Sequence, residues 1–353
     1  MNNSDKKEKQ QTQLIDRFSR TISYLRLSVT DRCNLRCLYC MPCESDNENA
    51  AVTPYKNLAA GELLSYEELE RIVRVAVSLG MSKLRLTGGE PLLRRDIITF
   101  IDAISKIEGL EQIRLTTNGV LLKENAQKLF EIGVRHLNIS LDTLVPEKFT
   151  MVTGNNLFHR VIRGIDASIA AGFRIKLNVV AMKTINDDEF LDFADFALDK
   201  NIQVRFIEFM PIGKGSNWHK NQYIKSENIR EILEDKYQLF PMSGNRVDGP
   251  ARMFTIRDKY GKEGRIGFIS PISHHFCSKC NRLRLTSEGK LRACLLHDRD
   301  TDLKSIIRQG CSDKDIENAI RDTILFKPEN HGIDDKKGSV QPACHVQMSR
   351  IGG

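Results

Sequence analysis

From Tyr24 to Phe209, short β-branched or apolar runs alternate with longer stretches of helical period. That alternation restricts the chain to a mainly parallel sheet wrapped by helices. Six strands are predicted, at Tyr24–Val29, Lys83–Thr87, Gln112–Thr116, His136–Ser140, Arg174–Val180 and Gln203–Phe209. Helices are expected between them, near Ser65–Leu79, Asp96–Ile107, Glu124–Ile132, Leu157–Ala171 and Glu189–Lys200. Gly80, Gly133 and Gly172 each follow a helical run directly, the position of a left-handed C-terminal cap. Past Phe209 the alternation fails, and the stretch holding Gly213, Gly215 and Trp218 reads as a linker into a second region. At 353 residues the chain has room for one large α/β unit and a smaller C-terminal one.

The carboxyl end of each predicted strand carries residues suited to chemistry: a cysteine loop, Gly88-Gly89-Glu90-Pro91, Thr116-Thr117-Asn118-Gly119, Ser140-Leu141-Asp142, Asn178, and Glu208 with Met210. In parallel α/β sheets and barrels the active site lies at that end. Gly, Asn, Ser and Asp are also ordinary turn formers; that reading leaves the cysteines unexplained.

Nine cysteines in a chain without an apolar leader or a membrane-length apolar run argue for metal ligation rather than disulfides. Six fall in two groups. Cys33, Cys37 and Cys40 lie in LRLSVTDRCNLRCLYCMP, and Cys277, Cys280 and Cys294 in FCSKCNRLRLTSEGKLRACL. A four-iron cube normally takes four thiolates, so three leave one iron open to a small molecule. Zinc is the alternative: Cys43 offers the first group a fourth ligand, and His274 or His275 the second. Cys43, Cys311 and Cys344 stand singly and read as non-ligands. Arg282 and Arg284, two residues apart, share one face of an extended strand and suit a phosphate. The net charge of +7 mildly favours anionic partners; 41% hydrophobic and 28% charged residues are those of an ordinary soluble protein. The polar start MNNSDKKEKQQTQ reads as a flexible tail over residues 1–19.

Cys-x3-Cys-x2-Cys with Tyr39 before its last cysteine, followed by GGEP after the next strand, resembles the radical S-adenosylmethionine (SAM) superfamily. With the second cysteine group, the segments LRLTGGEPLLRRD, LTTNG, NISLDT, LNVV and VRFIEFMPIG, and the end Ile351-Gly352-Gly353, the chain is similar to the GTP 3′,8-cyclase family that starts molybdenum cofactor synthesis. The similarity runs from about Tyr24 to the last residue, leaving out the tail and, more loosely, a variable loop over Glu44–Gly61. It implies a partial (β/α)6 barrel over residues 20–215 and a smaller α+β region over 216–353 that carries a second cluster. It implies two [4Fe–4S] clusters, on Cys33, Cys37 and Cys40 and on Cys277, Cys280 and Cys294. SAM contacts would fall on Tyr39, Gly89, Ser140 and Met210, and GTP contacts on Arg26, Arg85, Thr116, Lys176, Arg282 and Arg284. Catalytic roles are implied for Arg282, Arg284 and the Gly352-Gly353 end. In the implied reaction a 5′-deoxyadenosyl radical takes hydrogen from C3′ of GTP, and C3′ then joins C8 of guanine. The implied partners are a one-electron reductant such as flavodoxin and a downstream cyclic pyranopterin monophosphate synthase, in the cytoplasm. A homodimer is allowed; a membrane or a nucleic acid polymer is not expected. Asp31, Glu90 and Asp142 are nearby candidates for the last proton donor. A maturase or methylthiotransferase of the same superfamily and a zinc module binding RNA are the rival readings.

Overall fold

The computed structural model describes residues 13–40, 57–212, 220–243, 249–333, 344 and 346–352. Residues 1–12 of the expected tail, Cys43 with most of the variable loop, Gly213, Gly215 and Trp218 of the expected linker, and Gly353 lie outside them.

The six predicted strands form as β1 Tyr24–Ser28, β2 Lys83–Thr87, β3 Gln112–Thr117, β4 His136–Ser140, β5 Arg174–Ala181 and β6 Gln203–Glu208. Between them lie α1 Tyr66–Ser78, α2 Ile97–Ser105, α3 Leu122–Glu131, α4 Pro146–Thr153, α5 Phe158–Ala170 and α6 Phe190–Lys200. Helix α1 begins on a capping box: Ser65 Oγ accepts from the Glu68 N–H at 3.2 Å, and the Glu68 carboxylate accepts from the Ser65 N–H at 2.6 Å. Its buried Leu69, Ile72, Val73 and Ala76 repeat at helical spacing and face the sheet. Helix α4, not expected from sequence, is short; Pro146 opens it and Gly154 ends it in the left-handed region.

The later elements are α7 Ser226–Glu234, β7 Gln238–Pro241, β8 Arg252–Arg257, β9 Glu263–Ile269, β10 Arg282–Leu285, β11 Lys290–Arg292, β12 Asp300–Asp302, α8 Leu303–Arg308, α9 Asp313–Leu325 and α10 Met348–Ile351. All twelve strands join one sheet in the order β12-β11-β10-β1-β2-β3-β4-β5-β6-β9-β8-β7. Strands β1 to β6 are parallel and consecutive. With right-handed crossovers, an order that never reverses puts every helix on the same face, as in a barrel. Strands from beyond residue 215 extend both edges, β10 parallel to β1 and β9 parallel to β6, so the two expected regions share one sheet.

The register gives the sheet two chemically different faces. Leu25, Leu27, Leu84, Leu86, Leu115, Leu137, Ile139, Leu177, Val204 and Phe206 are buried under the helices. The alternate positions carry Tyr24, Arg26, Arg85, Arg114, Thr116, His136, Asn138, Lys176, Asn178 and Arg205. A barrel interior is normally filled by branched apolar side chains; here the inner face, the lumen side of the sheet, is polar and basic.

The expected tail over residues 1–19 needs a correction within its described part. Leu14 and Asp16 are buried, Ile15 bridges Thr21, and Asp16 pairs with buried Arg20 at 2.5 Å. Leu14 and Ile22 supply the apolar contact that a free tail lacks.

Candidate active site

The first cysteine loop leaves the end of β1 and is fixed by backbone bonds from two directions. The N–H groups of Arg36 and Leu38 donate to Thr153 and Val152 at the end of α4, at 2.8 and 3.0 Å. The Gly89 and Glu90 N–H groups donate to the Thr30 and Arg32 carbonyls, both at 2.7 Å. A Cβ on Gly89 would stand 2.3 Å from the Arg32 carbonyl oxygen, so the contact requires glycine. The close approach that a bare glycine allows is thus used first between two loops of the protein itself.

Polar groups around this loop are almost all engaged. Cys33 Sγ accepts from the Leu35 N–H at 3.4 Å and from Asn118 Nδ2 at 3.6 Å. Tyr39 donates its hydroxyl to Asp142 at 2.6 Å, and its ring meets Phe209 edge to face. Asp142 also accepts from the Val180 N–H at 2.8 Å. Glu90 accepts from the Leu92 and Asn118 N–H groups and from the Thr117 hydroxyl, and Asp31 accepts from the Leu58 N–H at 2.7 Å. The three acids weighed as proton donors are therefore tied into the scaffold. Burial pushes the Glu90 carboxyl up to about 7 and that of Asp142 up to about 6. It pushes the Cys33 thiol up to about 11 and the Cys40 thiol up to about 12; Cys37 is raised well above its ordinary value by burial, then by Asp142 and the other two thiols. The three thiols thus lie near enough to repel one another when ionised.

The lumen beside this loop is basic. Arg26 sits level with Arg284 on one side and Arg85 on the other, and Arg85 level with Arg114. Arg85 donates to the Tyr24 hydroxyl and, at 3.2 Å, to Thr116 Oγ1. Lys176 is buried one strand beyond Asn138, level with it. Burial, then Arg284 and Arg85, hold Arg26 well below its ordinary value; burial and Arg282 lower Arg284 to about 10. Burial, with Arg114 and Lys176, lowers His136 to about 4. Into this cationic space the C-terminal segment inserts one group: the Gly352 carbonyl accepts from Arg284 at 2.8 Å and from Arg26 at 3.5 Å. Gly352 has φ +79°, and a Cβ there would meet Thr87 Oγ1 at 2.0 Å.

The second cysteine group flanks β10. Burial pushes the Cys280 thiol up, but Arg282 and Lys327 more than offset it and bring the thiol down to about 6. Burial raises Cys277, and the other two thiols add to the rise. Arg282 lies over the Phe276 ring at 4.9 Å. His274 is paired with Glu227 at 2.8 Å, and His275 packs against His331, so neither completes a zinc site. Among the described residues no three His, Cys, Asp or Glu side chains gather as a single metal ion would need. A four-iron cube puts each ligand on a separate iron, so its thiols need not converge on one point as they would for a single ion. Cys344 is fully buried and accepts from Arg292 at 3.6 Å; Cys311 packs against the core.

Ser140 ends β4 level with Asn178. Met210 packs in a small cluster with Ile212, Leu296 and Ile351, beside the inserted C-terminal segment. The lumen residues Arg114, His136, Asn138 and Arg205 were not singled out from sequence; their signal was the alternation of polar and leucine-like residues along strands that should be apolar on both faces. Lys327 had no local signal at all.

The chain matches the family model of the Radical SAM superfamily over residues 27–197 and that of Molybdenum Cofactor Synthesis C over residues 202–333. It is 45% identical over 340 residues to the GTP 3′,8-cyclase of Thermodesulfovibrio yellowstonii, covering 96% of this chain and 99% of that one. It is 44% identical over 343 residues to the GTP 3′,8-cyclase of Geobacter sulfurreducens, covering 97% of this chain and all of that one. In fold it is similar to Streptococcus suis SuiB bound to S-adenosylmethionine, with a TM-score of 0.60 at 16% identity over 89% of this chain and 68% of that one.

Proposed function

Because the chain belongs to the GTP 3′,8-cyclase family within the radical SAM superfamily, we propose that the strand-lined lumen is where GTP is held and cyclised. The enzyme is a radical SAM lyase that converts GTP to (8S)-3′,8-cyclo-7,8-dihydroguanosine 5′-triphosphate, the first step of molybdenum cofactor biosynthesis. A [4Fe–4S] cluster and SAM, when bound, supply the one-electron chemistry that starts the reaction.

The residues divide the work by chemistry. Cys33, Cys37 and Cys40 hold the SAM cluster, and Tyr39, Gly89, Ser140 and Met210 hold SAM beside it. Arg26, Arg85, Lys176, Arg282 and Arg284, with Thr116, hold the triphosphate, since buried guanidinium forks in a dry cavity suit phosphate oxygens. Cys277, Cys280 and Cys294 hold a second cluster at the opposite side of the substrate. Gly352 reaches the lumen next to Arg26 and Arg284, and the Gly352-Gly353 end has the role of excluding water and pressing ribose C3′ toward guanine C8. In this reading residues 20–215 are the radical SAM unit and 216–353 the second-cluster unit. Electrons come from a one-electron reductant such as flavodoxin, the product passes to cyclic pyranopterin monophosphate synthase, and the protein works in the cytoplasm, alone or as a homodimer. No described helix is long and apolar enough to cross a membrane.

The observation that carries this reading is the convergence of Arg26 and Arg284 on the Gly352 carbonyl inside a basic lumen. The test is incubation of anaerobically reconstituted protein with SAM, dithionite and GTP or ATP, read by mass spectrometry. The expected result is 5′-deoxyadenosine together with a rearranged nucleotide from GTP and none from ATP. 5′-Deoxyadenosine without any change in GTP overturns the substrate assignment.

A further inference from the structure

Lys327 follows the end of α9 and is 4% exposed. Its Nζ donates to the Arg282 carbonyl at 2.9 Å and to the Ala293 carbonyl at 2.5 Å. These two carbonyls belong to the strand that carries Arg282 and Arg284 and to the residue directly before Cys294. Among the described residues no carboxylate lies within ion-pair distance of Lys327. The opposing charges that face it are those of Cys280 and Cys294, while Arg282 and Arg20 add positive charge nearby. A buried ammonium without a carboxylate is costly; one set against two thiol ligands is matched once those thiols are ionised and bound to iron.

Neighbouring residues brace the same place. Arg20 donates to the Cys277 carbonyl at 2.9 Å and to the carbonyls of Glu329 and Pro328 at 3.0 and 2.7 Å. His331 holds the Pro271 carbonyl by its ring at 2.6 Å. The turn from Lys327 to Glu329 is thus tied to the Arg282 strand and the Cys294 segment through Lys327, and to the Cys277 backbone through Arg20, a supporting shell of the kind that orients metal ligands.

We infer that Lys327 is a positioning residue for the second thiol set, holding the Arg282 strand against the Cys294 segment and supplying a fixed positive charge that offsets the negative charge of a cluster bound there. The inference rests on the proposed second cluster. Removing the charge stabilises the oxidised, less negative state of that cluster and makes it harder to reduce.

The test uses the full-length, anaerobically reconstituted protein and its Lys327→Met and Lys327→Arg variants, with iron and sulfide counted and both clusters titrated potentiometrically under paramagnetic resonance. In Lys327→Met the second cluster's midpoint potential is expected to fall by at least a tenfold change in its reduction equilibrium, about 59 mV for a one-electron couple. The first cluster should not move, and Lys327→Arg should keep most of the parent potential. If Lys327→Met loses the second cluster instead, Lys327→Arg should restore it. An unmoved potential, equal falls in both clusters, or equal loss in both variants overturns the inference. Parent protein that binds iron for only one cluster overturns the two-cluster reading on which it rests, a result distinct from all of these.

Discussion

The loop Cys33–Cys40 and the region Cys277–Cys294 each offer three thiols, yet the charged groups that act on them most differ. Around the first, the charged neighbours that act on the sulfurs include the buried acids Glu90 and Asp142, and burial leaves the thiols far above their ordinary values. Around the second, Arg282 and Lys327 bring Cys280 down to about 6 despite burial. Thiol count is the same; the electrostatic setting is not. On the proposed reading, negative neighbours would oppose the arrival of an electron at a cluster bound there and favour a strong reductant, the property needed to cleave a sulfonium. Positive neighbours favour holding an anionic substrate.

The sharpest way to break this contrast is to remove one thiol from each set. Serine at Cys33, Cys37 or Cys40 is expected to abolish 5′-deoxyadenosine formation outright. Serine at Cys277, Cys280 or Cys294 should leave SAM cleavage and eliminate the cyclised nucleotide. Equal loss of SAM cleavage in both groups, measured by mass spectrometry, would erase the distinction.

A weaker effect is expected for Arg284→Met, which removes a charged donor from the lumen. Calorimetry should show GTP binding roughly 10- to 100-fold weaker, the worth of one hydrogen bond to a charged group, with SAM binding unchanged. A matched loss of SAM affinity would show that the two halves of the lumen are not separable. Gly352→Ala should cost about tenfold in cyclised product. Its Cβ would collide with Thr87 in a backbone conformation that alanine resists. SAM cleavage should persist, and unchanged product yield would remove the C-terminal segment from the site.

The smallest effect concerns His136, which burial and then the lumen cations hold near 4 against an ordinary 6.5. The folded state resists protonating this ring while the unfolded state accepts the proton. The stability it contributes is therefore complete above pH 6.5 and lost as the pH falls from there toward 4. The loss is at most about 3 kcal/mol, less where solvent screens the ring. Urea unfolding of His136→Gln should lack that slope. Bound GTP, by neutralising Arg114 and Lys176, should raise the His136 value in an NMR titration; no movement on GTP binding would place the triphosphate elsewhere.

The six parallel strands were legible because Leu25, Leu84, Leu115, Leu137 and Leu177 each recur within short runs bounded by turn formers, and the observed ends differ from those expected by at most a residue. The cysteines were legible because ligand spacing is local. The short strands β10 to β12 were not, since three or four residues carry too little periodicity to stand out. Nor was Lys327, whose neighbours Arg282 and Ala293 are 45 and 34 residues away along the chain. Residues 13–19 misled because a polar stretch hides the single buried Leu14 that docks it.

The pairing of β1 with β10 has a consequence for how the molecule is made. Ser23 and Asn281, which meet beside this pair, are 258 residues apart. At the usual pace of synthesis the first strand waits on the order of tens of seconds for its partner, with one edge open on the ribosome. An unpaired edge is a template for association with other chains, so the nascent protein depends on being kept apart from its copies until the strand that carries Arg282 and Arg284 emerges.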